Sequence, residues 1–293
     1  MKILISGGTG FIGKLLSKEL VSSGYELTII SRSSTTKNEE KIKFIPWDKE
    51  ALQNAVNNSD IVINLTGESI TGKRWTKEQK DLIYKSRIVT TKLLVEAINN
   101  AKNKPKKLIS ISAVGIYGDR GDEKLIEDSS SGSGFLTNVC VDWEAEAKKA
   151  KTNVIVLRLG IVLGKNGGAL KKIIPPFKMF IGGPLGSGNQ YMPWIAIDDV
   201  IGLIMFAIEN DSVNGILNAT SPNPVTNKEF SNILGKVLHR PSFIPVPGFA
   251  LKLLLGEMSE LLLGSQRVIP ERALQLGYKF KYSELESALK GIA

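Results

Sequence analysis

Apolar positions along this chain alternate between two kinds of run. Ile3, Leu4 and Ile5 form a short unbroken apolar stretch, and Leu15, Leu16 and Leu20 then recur at helical spacing. An unbroken run of that length suits a strand buried on both faces, whereas a repeat every three or four residues suits a helix burying one side. The couplet returns down the chain. It predicts strands at 26–31, 43–47, 60–65, 107–111, 153–159 and 215–219. Helices are predicted at 49–57, 76–100, 135–149, 198–209 and 226–238. Gly24 fits the residue just past the first helix, and Thr76 with Gln79 fits a capping box opening the long one. Regular alternation of this sort predicts an α/β fold, a Rossmann-type doubly wound parallel sheet.

From about residue 165 the pattern breaks. Pro175, Pro176, Gly182, Gly183, Pro184, Gly186 and Gly188 mark a long irregular segment of the kind that often forms a binding lid. A proline-punctuated link at 241–247 leads to a C-terminal helical region. The expected division is a sheet domain of residues 1–165, with 198–220 returning to it, and a smaller substrate-side C-terminal domain made from 166–197 and 221–293.

The chemistry concentrates at strand ends. Between the first strand and helix the chain reads GGTGFIG, with Gly7, Gly10 and Gly13 at three-residue spacing. A turn without side chains lets the main-chain N–H groups of Phe11, Ile12 and their neighbours approach a pyrophosphate at a helix N-terminus. The second strand runs into Ser31, Arg32 and Ser33 with no acid. An acid at that point would meet a ribose 2′-OH, whereas an arginine and hydroxyls suit a 2′-phosphate, so NADP is the expected cofactor. Asp48 stands where an adenine amino group could be met. Asn64, Leu65, Thr66 and Gly67 end the fourth strand beside the expected switch point of the sheet, and Arg87 on the long helix could reach the same groove.

Composition narrows the classes. The longest greasy piece, 249–263, is broken by Lys252, Gly256, Glu257 and Glu260, so no membrane-spanning segment is expected. The first strand starts at residue 2, which leaves no room for a signal peptide. One cysteine, Cys140, and one histidine, His239, exclude an internal disulfide and argue against a His/Cys metal site. A cytoplasmic, metal-free protein is expected. The net charge of +9 is scattered over lysines without interleaved aromatics, so no nucleic-acid partner is expected.

Taken together, GGTGFIG, the SR after strand two, NLTGESI at 64–70 with the RW of 74/75, SAVGIYGD at 112–119, the WE of 143/144 and GGPLGSGNQYMPWIAIDD at 182–199 resemble the extended short-chain dehydrogenase/reductases. The branch is similar to the nucleoside-diphosphate-sugar epimerase family proteins. The tail RVIPERALQLGYKFKYSELESAL at 267–289 resembles that branch's C-terminal domain of unknown function. The resemblance implies a Rossmann fold, NADP binding, a small-molecule carbonyl or alcohol substrate, and a homodimer. It also implies a serine after strand five with Tyr-x-x-x-Lys on the next helix. Ser112 matches the serine. The helix carries Cys140 and Glu144 where tyrosine and lysine should stand, so the catalytic candidates are Ser112, Cys140 and Glu144. The expected activity is that of an NADP-dependent oxidoreductase or epimerase. The alternative is a non-catalytic NADP(H)-binding sensor or scaffold.

Overall fold

The structure, a computed structural model, describes residues 1–31, 39–165 and 167–292. Its frame is an all-parallel, seven-stranded sheet. The strands are β1 (Lys2–Ser6), β2 (Glu26–Ile30), β3 (Ile42–Ile45), β4 (Ile61–Asn64), β5 (Lys107–Ala113), β6 (Asn153–Leu159) and β7 (Gly215–Ala219). They lie in the order β7-β6-β5-β4-β1-β2-β3. Winding therefore reverses between β1 and β4, and the doubly wound α/β fold expected from the apolar pattern is the one observed.

The connecting helices are α1 (Phe11–Ser22), α2 (Lys49–Asn57), α3 (Lys77–Asn99), α4 (Phe135–Ala147), α5 (Leu170–Lys178), α6 (Ile197–Glu209), α7 (Asn227–Leu238) and α8 (Gly248–Leu255). Successive strand residues point to opposite faces, which is why the apolar runs are unbroken. Ile3, Ile5 and Ile63 pack with Leu16 and Leu20 of α1 and Leu203 of α6. Leu4, Val62 and Leu108 enter a second core with Val56 of α2 and Leu94 of α3. Each fully buried leucine or isoleucine contributes about 1.5–3 kcal/mol. A third core joins Phe177 of α5, Trp194 and Phe230 of α7 to Leu285 and Leu289 of the C-terminal helix Leu285–Ile292.

Three local differences have clear causes. β3 stops at Ile45, not residue 47, because Asp48 caps α2, its carboxylate accepting the Ala51 N–H at 2.9 Å. The cap uses one oxygen of Asp48, at the place where an adenine contact was expected of it. The segment expected to be irregular contains α5 despite Pro175 and Pro176. Leu170, Ile173, Ile174 and Phe177 recur at helical spacing, and all four pack in the third core. Short strands Ile161–Gly164, Gly167–Gly168 and Trp194–Ala196 form a separate small sheet beside them.

Candidate functional site

The glycine turn lies at the carboxyl ends of β1 and β4. Gly7 has φ +78°, and a Cβ there would lie 2.7 Å from the main-chain carbonyl of Leu65. A Cβ on Gly13 would lie 2.6 Å from Gly8 Cα. These two positions are glycine because the chain itself passes so close. Gly10 is different. It caps α1 without a side-chain bond, in extended backbone (φ −75°, ψ −178°), and a Cβ on it would meet only Gly7 O, at 3.3 Å. Internal packing does not fill that direction, and the first-turn N–H groups of α1 have no helical acceptor. An anionic pyrophosphate fits this cradle in charge and in room. Phe11 contributes main chain only, since its ring packs under the glycine-rich exit of β6. A Cβ on Gly164 would fall 2.6 Å from that ring. Ile12 likewise packs against the first core.

The end of β4 is tied inward. Asn64 is fully buried; its Oδ1 accepts from Ser6 Oγ (2.8 Å) and from Thr66 N (3.3 Å). Its Nδ2 donates to Thr91 Oγ1 (2.9 Å) and Ser110 Oγ (3.3 Å). Trp143 Nε1 donates to the same threonine at 2.9 Å. The amide expected to greet a cofactor is therefore a hub that ties three strands to α3, and Leu65 beside it is also buried. Thr66 and Gly67 emerge into the groove, with Thr66 Oγ1 held by Ser6 Oγ at 2.8 Å. Arg87 donates to Ile83 O and Glu68 O, both at 3.0 Å, and stacks 5.2 Å from the Trp143 ring. Burial pushes its guanidinium below the ordinary value. Arg87 braces the loop after β4, with Gly67 directly against it. Ser31 is buried at the end of β2, its N–H on Ile45 O at 3.0 Å. Arg32 and Ser33 lie outside the described residues.

The three catalytic candidates come together, but in the interior. Ser112 Oγ donates to Glu144 Oε1 at 2.9 Å. Arg158 of β6 grips both oxygens of Glu144, Nε to Oε1 at 2.8 Å and Nη2 to Oε2 at 2.9 Å. Its third nitrogen, Nη1, donates to Tyr117 Oη at 2.8 Å, and that hydroxyl donates to Asn218 Oδ1 at 2.7 Å. Ser112, Cys140 and Glu144 are each 3 % exposed. Ser112, a catalytic candidate in the sequence, gives its proton to a carboxylate of the protein. Glu144, standing where the resemblance implies a lysine, has its charge matched by Arg158. Burial alone would lower Arg158, but the Glu144 carboxylate outweighs burial and raises it. The Cys140 thiol is pushed up to about 11, first by burial and then by Glu144, with Arg87 opposing. Sequence reasoning missed Arg158, although an arginine inside the apolar strand VIVLRLG was a visible signal that a buried carboxylate must face it.

The C-terminal region reaches this neighbourhood. Gln266 Nε2 donates to Val114 O (3.0 Å) and Gly118 O (2.9 Å), over the turn that follows β5. Trp75 and Trp194 are buried, their indole N–H groups on Ile70 O (2.8 Å) and Asn223 O (3.2 Å). A cavity of about 620 Å³ lies beside β3 and α2, lined by Glu26, Lys43 and Asn54, and no expected site residue borders it. Among the described residues no group of three or more His, Cys, Asp or Glu could hold a metal ion.

The model of the NAD dependent epimerase/dehydratase family matches residues 3–219. The chain belongs to that family. A domain of unknown function, DUF1731, matches residues 246–292. Among curated members, the chain is 43% identical to the chloroplastic epimerase family protein SDR39U1 homolog of Arabidopsis thaliana, across 100% of this chain and 86% of that protein. It is 39% identical to epimerase family protein YfhF of Bacillus subtilis, across 99% and 97%. Among solved members, human epimerase family protein SDR39U1 (isoform 2), crystallised with NADPH, superposes at a TM-score of 0.91 with 37% identity, over 100% of this chain and 99% of that one. UDP-glucuronic acid 4-epimerase of Bacillus cereus, at 21% identity and a TM-score of 0.78 over 99% and 97%, shares the fold.

Proposed function

We propose that the chain binds NADP(H) along the groove between the Gly7–Gly13 turn and Thr66–Gly67, and that it is an oxidoreductase or epimerase of a small-molecule carbonyl or alcohol, nucleotide-sugar-like in class. The observation that carries this reading is Gly10, a glycine that internal packing does not require, facing open room at a helix N-terminus. The human relative crystallised with NADPH supports the same cofactor. Arg32 with its flanking serines, in place of an acid, favours the 2′-phosphate form. When bound, the cofactor supplies the two-electron step. The chain's own residues hold the pyrophosphate on main-chain N–H groups, and Arg87 keeps the loop after β4 in place. Because the Ser112 proton is engaged and Cys140 is buried in the interior, the proton for a developing alkoxide comes from water or from the substrate's own hydroxyl.

The Ser112–Glu144–Arg158 lock favours a second reading, a sensor that binds NADP(H) without turnover. Calorimetric titration with NADPH and NADH tests the binding. NADPH should bind at least tenfold more tightly, since a charge-assisted phosphate contact is worth about 1.5–3 kcal/mol. Gly10→Val, allowed by its extended backbone, should bind neither cofactor while keeping the native circular dichroism. Equal affinity for the two cofactors, or normal binding by the variant, overturns the assignment. Consumption of NADPH with a panel of carbonyl compounds then separates enzyme from sensor.

A further inference from the structure

The two walls of the cofactor groove are joined by a short piece of chain from outside the main sheet. Gly167 and Gly168, just before α5, lie against the Phe11 ring at the start of α1. A Cβ on Gly167 would run into that ring, and one on Gly168 would lie 3.2 Å from it. At the other end of the piece, in the first turn of α5, Lys172 donates through Nζ to the main-chain oxygen of Thr71. Thr71 belongs to the loop that leaves β4 by way of Thr66 and Gly67. Residues 167–172 therefore start on the wall made by the glycine turn and end on the wall made by the loop after β4. This piece is firmly seated. Ala169 N donates to Val162 O at 3.0 Å, Leu170 is 1 % exposed, and Phe177 packs with it in the third core.

The loop it meets is held at its ends and loose between them. Glu68 N donates to Ser86 Oγ at 2.9 Å, and Glu68 O accepts from Arg87 at 3.0 Å. Trp75, at the far end, is buried and donates to Ile70 O at 2.8 Å. Between these anchors Ser69, Thr71, Gly72 and Lys73 are exposed. Among the described residues, Trp75 and Lys172 supply the only hydrogen bonds to the main chain of residues 69–73, and only Lys172 comes from a distant part of the fold. A stretch with so few bonds and so little burial opens at low free energy. Lys172 is itself exposed and pairs with no carboxylate among the described residues, so the Thr71 carbonyl is its partner.

We propose that Lys172 is a positioning residue of the cofactor groove: its bond to Thr71 latches residues 69–73 as a flap across the mouth, and NADP(H) enters and leaves when that bond opens. The proposal rests on the cofactor groove assigned above. A latch closed in the free and the bound protein alike slows entry and exit together, so removing it changes rates and leaves affinity in place. A lysine that held the cofactor directly would change affinity. Stopped-flow measurement of NADPH fluorescence on the full chain, with calorimetry beside it, separates the two. Lys172→Gln should raise the association and dissociation rate constants each about tenfold, the scale of one hydrogen bond from a charged donor, with Kd kept within about threefold. Lys172→Arg, which can still donate to Thr71 O, should restore slow exchange. Lys171→Gln removes the same charge one residue away and should leave the dissociation rate near native. Unchanged rates in Lys172→Gln overturn the latch, as does equal acceleration in Lys171→Gln, which assigns the effect to charge. Faster dissociation with a matching loss of affinity overturns it too, and makes Lys172 a cofactor contact. A native protein that gives no calorimetric signal with NADPH removes the groove assignment and the latch together, whereas native binding with unaltered exchange removes the latch alone.

Discussion

At Cys140 burial outweighs the neighbouring charges. The thiol sits one helical turn from Glu144, with the Arg87 guanidinium close enough to oppose it. Desolvation favours the neutral form, and the carboxylate acts in the same direction, so the pKa rises to about 11. A helical spacing of four residues was enough to foresee the pairing with Glu144, because side chains at i and i+4 share a face. What helical spacing could not reveal was Arg158, which comes from the next strand and matches the same carboxylate. Alkylation by iodoacetamide at neutral pH should therefore be slow, rising only at strongly alkaline pH. Cys140→Ser should leave NADPH affinity intact. A native thiol titrating below about pH 7 would restore Cys140 as an activated group and sink this account.

Among the elements, length decided what could be read. Strands buried on both faces announce themselves as apolar runs, and β1, β4, β5 and β6 lie within a residue or two of where those runs place them. Pieces of two residues, such as Lys124–Leu125 or Tyr191–Met192, carry no period and went unseen. Each is fixed by long-range pairing, the first with Arg267–Val268 and the second with Val225–Thr226. The polar link that ties α4 to β5 and β6 was also hidden, since it consists of a buried ion pair and one serine hydrogen bond. Its energetics are testable. Arg158→Met leaves the buried Glu144 carboxylate with only Ser112 and the half-exposed Lys148, 3.8 Å away, against it, and should destabilise the fold by about 3 kcal/mol. Replacing both partners, with Glu144→Leu added, should cost less than the single change, because no uncompensated charge remains. Urea denaturation of the two variants compares them, and a double variant less stable than Arg158→Met would mean that packing, not charge, dominates there.

Across the whole molecule the C-terminal region is held to the sheet by buried carboxylates that sequence alone could not locate. Asp199 of α6 accepts Lys281 N at 2.7 Å and Tyr282 N at 3.0 Å. Glu127, from the long connection after β5, accepts Asn218 N of β7 at 2.9 Å and Arg272 N at 3.3 Å through Oε1. Its Oε2 is buried with no hydrogen-bond partner. Burial raises the Glu127 pKa above the ordinary carboxylate value, the main-chain donors opposing that shift only in part. A group whose folded pKa is raised contributes stability that is present at pH below its unfolded value and lost as pH climbs through the folded one. The native protein should thus lose stability relative to Glu127→Gln between about pH 5 and about pH 8, because the variant keeps an acceptor for both N–H groups and cannot ionise. Each unit by which the pKa is raised is worth about 1.4 kcal/mol in that comparison. Urea unfolding of both proteins at the two pH values gives the difference. If the native protein instead gains on the variant as pH rises, the ionised carboxylate stabilises the joint, and burial is not what governs Glu127.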